Sequence, residues 1–155
     1  MITHTTLFSA VLVAGCLYGA ISDLFFRRLA NVLCLALAVV GLLDAGLSGG
    51  AGALGLHAAH AAIALVVGMA LFAVRWVGGG DAKFYAAIAC WFSLWDGLKL
   101  LVDVCFCAFL ALVVWFVVRR LQGKRVSRDA NGVWDKMPLG LGMAIGAVVT
   151  RLVLA

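Results

Sequence analysis

Read as apolar and polar positions, the chain is a series of long hydrophobic runs separated by short polar or glycine-rich breaks. The runs predict helices over residues 7–26, 29–47, 53–77, 82–95, 98–118 and 138–155. A spanning helix needs roughly 20 apolar residues, and all but the run at 82–95 approach that length. Asn31 offers a start signal for the second helix. Ser48 to Gly52 reads as a flexible, uncharged turn, and Gly78-Gly79-Gly80 as the stop of the third helix. The pattern predicts an all-α polytopic membrane protein with six transmembrane helices.

Composition supports this. Of 155 residues, 66% are hydrophobic and one is proline, whereas a soluble domain is closer to half apolar. Six spans leave no room for an extramembrane domain. Cys16, Cys34, Cys90, Cys105 and Cys107 all fall in apolar runs without a Cys-x-x-Cys pair. They read as structural thiols, not as zinc ligands or a disulfide framework. No metal or other cofactor is expected. The first residues lack the basic cluster of a secretory signal, so the first run reads as a retained span.

Charge then orients the chain. With the first terminus outside, the inner side holds Arg27, Arg28, Arg75, Lys83, Arg119, Arg120, Lys124, Arg125, Arg128 and Lys136. Only Lys99 and Arg151 of the twelve basic residues fall towards the other side. Excess Lys and Arg marks the cytoplasmic side, so both termini are expected outside. The basic stretch from 119 to 136 becomes a solvated loop with Trp134 at the lipid interface, and the net charge of +5 calls for no nucleic acid.

Depth sorts the seven carboxylates. Asp44 and Asp96 belong to the outer ends, and Asp129 and Asp135 to the loop. Asp103 lies about 22 Å from the inner end of its helix and pairs with Lys99 one turn away. Asp23 and Asp81 alone share both a cytoplasmic depth and an apolar setting. Ionisable residues in such places are functional candidates. Two carboxylates in a poorly hydrated site cannot both ionise easily, so one keeps a proton. That arrangement lets one act as base on water and the other as acid on a carbonyl. The competing reading pairs Asp23 with Arg27 and Asp81 with Lys83. His57 and His60 share a helix face, but 18 residues to Arg75 is about 27 Å of helix, which fits a structural or interfacial role far from the aspartates.

Gly78-Gly79-Gly80-Asp81, with Lys83 two residues on, resembles the Gly-x-Gly-Asp signature of intramembrane aspartyl peptidases, specifically the type IV prepilin peptidases. Asp23-Leu-Phe-Phe-Arg-Arg-Leu-Ala-Asn31 resembles the stretch that follows the first catalytic aspartate in that family, and Met137-Pro138-Leu139-Gly140 its closing segment. Ala30 and Leu139 depart from the usual proline and aromatic residue. The resemblance is to short members serving tight-adherence (Flp-type) pili. It implies one membrane-embedded peptidase domain over 1–155 in the cell inner membrane, with Asp23 and Asp81 catalytic. Gly78, Gly80 and Lys83 would support the catalytic loop, and Asn31, Pro138 and Gly140 would be substrate-site candidates. It implies a prepilin or pseudopilin substrate and membrane lipid as surroundings. The cysteine pairs of the methylating, longer members are missing, so no equipment for methyl transfer is expected. The alternatives are a non-enzymatic transporter or assembly scaffold using the aspartates as a proton or cation relay, or a related enzyme acting on archaellin-type precursors or signal-peptide remnants. Gly80, next to Asp81, is expected to supply backbone freedom or close approach to the substrate.

Overall fold

The computed structural model describes residues 4–26, 29–122 and 139–154. The elements are α1 (His4–Phe26), α2 (Asn31–Ala73), α3 (Gly79–Ala89), a short 3-10 turn (Leu94–Asp96), α4 (Gly97–Leu121) and α5 (Leu139–Leu154). No strand occurs among the described residues. Among the described residues, three segments are long and apolar enough to cross a membrane: Thr6–Phe26, Asn31–Ala73 and Leu94–Leu121. Arg27, Arg28, Trp134 and Pro138, and the basic loop beyond Gln122, lie outside the described residues.

α2 absorbs the second and third expected spans. Its 43 residues would measure about 65 Å if straight, about twice a bilayer's hydrocarbon core. It is not straight. Gly50 has φ 66° and ψ −162°, a backbone state open to glycine and strained for other residues. The expected turn over 48–52 is thus a single-residue break with helix on either side. The two arms run in opposite directions along α3. Trp91 donates from Nε1 to the Leu37 carbonyl of the first arm at 2.9 Å. From the second arm, the Nδ1 atoms of His57 and His60 lie 2.9 and 3.0 Å from the carbonyl oxygens of Cys90 and Phe92. The two histidines cap the backbone just beyond α3, the structural role foreseen for them.

Three boundaries differ from expectation. The glycine triplet does not stop α2. The helix ends at Ala73, where Arg75 takes a left-handed φ of 61°. Trp76 N–H then bonds to Leu71 O at 3.0 Å, and Arg75 N–H to Phe72 O at 2.9 Å, the paired bonds of a Schellman stop. The triplet instead opens α3, with Gly78 as its N-cap. Asn31 is not an N-cap either, because Ala30 holds that position in extended conformation. α3 also stops at Ala89, six residues short of the expected end at Trp95. Its 11 residues rise only about 16 Å.

α5 lies tightly on α4. A Cβ on Gly142 would fall 2.4 Å from the Ala108 Cα, and one on Gly146 2.5 Å from the Val104 Cα. Small residues four apart let two helix backbones meet. Leu12 and Cys16 of α1, Phe84 and Ile88 of α3, Trp91 after it, Leu100 of α4 and Ala147 of α5 form the buried centre. α3 is enclosed there, and its first turn carries Asp81.

Candidate active site

The last turn of α1 carries Asp23 into the protein, where it is 8% exposed. Its Oδ2 accepts a hydrogen bond from the Gly140 backbone N–H at 2.8 Å. Gly140 sits in the first turn of α5, where a helix has amide donors to spare. Glycine is required for the approach: a Cβ there would lie 2.9 Å from Asp23 Oδ2 and from its Cβ. The α4–α5 glycine contacts fix α5 at this height.

Asp81 stands three residues after its N-cap, in the first turn of α3. From that position a carboxylate reaches back to the N-cap amide, and Asp81 bonds to the Gly78 backbone. The positive end of the helix dipole favours a negative charge there. A Cβ on Gly78 would come 2.7 Å from Asp81 Oδ2, so the crowded glycine of the triplet is Gly78. At Gly80 a Cβ would meet only Leu29 Cβ at 3.7 Å, an ordinary contact, and the residue is exposed. The crowding against Asp81 within the chain is thus at Gly78, while Gly80 keeps an open outer side.

Asp23 and Asp81 come from different helices, 58 positions apart, and each lies in the other's field. Asp81 is outside the long apolar spans. Burial first, and the Asp23 charge second, push its carboxyl up to about 6, while the Gly78 hydrogen bond pulls the other way. Such a pair readily holds one proton between two acids.

The other expected residues divide. Lys83 is not turned to Asp81: its Nζ donates to Asn31 Oδ1 at 3.3 Å, linking α3 to the start of α2. Asp103 takes the place foreseen, 3.7 Å from Lys99 Nζ, and also accepts from Thr150 Oγ1 at 2.8 Å. No cluster of three or more His, Cys, Asp or Glu side chains able to hold a metal occurs among the described residues. Reading the sequence placed Gly140 near a substrate. The amide it gives to Asp23 was missed, since every non-proline residue has one.

A family model described as the type IV leader peptidase family matches residues 10–118, a stretch that includes both aspartates. No curated protein and no solved structure matches the chain. The match decides for an enzyme over a transporter or scaffold. With more than two thirds of its length matched, the chain belongs to the type IV leader peptidase family and is a protease of the leader-peptidase kind.

Proposed function

We propose that this chain is an aspartyl endopeptidase that removes the leader from type IV prepilin-like proteins at the cytoplasmic face of the inner membrane, with Asp23 and Asp81 as its catalytic pair. The observation that carries the reading is the mutual influence of two carboxylates delivered by α1 and α3. The Gly140 amide holds Asp23 Oδ2 in place, and we assign Asp23 as the base. Asp81 holds the proton and is the acid.

In this scheme Asp23 takes a proton from a water molecule as its oxygen attacks the scissile carbonyl carbon. Asp81 gives its proton to the carbonyl oxygen, so the tetrahedral intermediate forms without a free oxyanion. Collapse breaks the C–N bond, returns the Asp81 proton, and passes the Asp23 proton to the leaving amine. Lys83 and Asn31 brace the loop and helix start beside the pair, and Gly78 admits the Asp81 carboxylate. Gly80, exposed in the same turn, is left open to substrate. The proposal keeps the six spans with both termini outside, counting the two arms of α2 separately and the stretch 82–95, which begins just after Asp81, as a short crossing. It also keeps a single domain over 1–155 and the lack of methyl transfer.

The test is co-expression with a pilin-like precursor (a short basic leader followed by an apolar helix) encoded in the same genome. Wild type should produce the faster-migrating mature form, and Asp23→Asn or Asp81→Asn at equal membrane levels should not. Cleavage at the wild-type rate by both variants would end this reading. A reporter active only in the cytoplasm should work when fused after Arg120 and fail after Ala155. The reverse pattern would put the pair on the wrong face.

A further inference from the structure

α2 packs on α3, and α4 on α5. Between the second arm of α2, α3 and α4 this leaves an open groove of about 490 Å³. Val67, Leu71, Leu101 and Cys105 are among its walls, with Asp81 at one end and His60 at the other. The Gly68 backbone lies directly on Ala82, where a Cβ would be 2.9 Å from the Ala82 Cβ, so the floor is low. Along α2 the groove runs from His60 to Leu71, about 16 Å or three helical turns.

We infer that this groove seats the first three turns of the substrate's apolar helix and so selects where the chain is cut. The inference rests on the proposed peptidase function. Three features single out the groove. It is continuous with a carboxylate of the proposed pair, whereas the apolar pocket of Val39, Leu43 and Leu54 has no carboxylate among its described lining residues. Within a bilayer, apolar surface alone does not draw helices together. Close packing does, and a low floor between two walls gives a helix contacts on three sides. The third feature is geometric: in a precursor the cleaved bond precedes the apolar helix. A helix lying in the groove with its start at the Asp81 end therefore brings that bond to the pair.

Cys105 provides a native reporter, because it is exposed while the other four cysteines are buried. In full-length Asp23→Asn enzyme, which holds the precursor uncut, single cysteines are placed one at a time through the first three turns of the precursor's apolar helix. Oxidation with copper phenanthroline then removes two electrons from the paired thiols and forms the disulfide. Cross-links to Cys105 should appear on one helical face only, at spacings of three and four residues, and vanish in Cys105→Ala. In active enzyme, Leu101→Trp fills the groove and should lower kcat/KM at least roughly tenfold, mainly through KM. Val102→Trp, on the neighbouring position of α4 outside the groove, should cleave as wild type. If the groove holds a lipid chain instead, cross-links will be absent and Leu101→Trp will cleave normally while wild type still matures the precursor, and the inference is overturned. A wild-type enzyme that matures no precursor would instead remove the peptidase reading.

Discussion

Asp23 and Asp44 are almost equally buried, at 8% and 7% exposed, yet the chain treats them differently. Asp44 is held by Arg151 at 3.2 Å and by the Ser48 hydroxyl at 3.3 Å, and Arg151 also donates to Ser9 at 3.0 Å. That cluster ties α1, α2 and α5 together at the end away from Asp81. Its carboxylate is neutralised by a permanent cation. Asp23 accepts a backbone amide and feels a second carboxylate. One arrangement fixes a charge in place. The other sets two carboxyl groups in each other's field, the setting the proposed acid–base chemistry would use. Burial alone therefore does not mark a functional carboxylate. Its partners do.

The largest test of this contrast is amide replacement at each end. Asp23→Asn and Asp81→Asn should each lower cleavage by ~10²–10⁴-fold with normal thermal unfolding in detergent. Asp44→Asn should do the opposite. It leaves the half-buried Arg151 without its counter-ion, costing up to about 3 kcal/mol of stability, while cleavage per folded molecule stays near wild type. Loss of chemistry at Asp44 without loss of stability would erase the distinction.

Next comes the amide on Asp23. Gly140→Ala pushes a methyl against the carboxylate, and a shift of about 1 Å at a reacting group can cost on the order of a hundredfold in rate. Gly80→Ala adds the same methyl where Leu29 allows it, and should stay within roughly threefold of wild type. Cleavage assays on the two variants, normalised to membrane level, check both. Equal losses would mean that Gly140 does not position Asp23.

The last effect is on pH. If Asp81 must be protonated, kcat/KM falls as pH rises through about 6, approaching roughly tenfold per pH unit on the alkaline side. Measured between pH 5 and 8 in detergent micelles, a flat profile would exclude Asp81 as the acid.

Reading the sequence singled out Asp23 and Asp81 as candidates because an ionisable residue stands out in an apolar chain. It disclosed the all-helical architecture for the same reason. It could not disclose that α3 stops at Ala89, since Cys90-Trp91-Phe92 is as apolar as the helix before it and hydropathy does not distinguish a buried turn from a buried helix. The stop at Arg75 was hidden too, because a left-handed arginine carries no signal where three glycines follow nearby. Asn31 suits a cap by residue type, but its side chain is engaged by Lys83 across 52 positions, a contact that only the packed structure reveals.

The hydrogen bond from Gly140 to Asp23 joins the last described helix to the first, with consequences for biosynthesis. Synthesis runs from the N-terminus, so both aspartates are inserted well before α5 leaves the ribosome. Until then Asp23 lacks its amide donor, and α4 exposes the surface that Gly142 and Gly146 will cover. Insertion of α5 is thus the event that completes the carboxylate pair. A nascent chain halted after α4 would carry both acids in the membrane with the pair still unfinished.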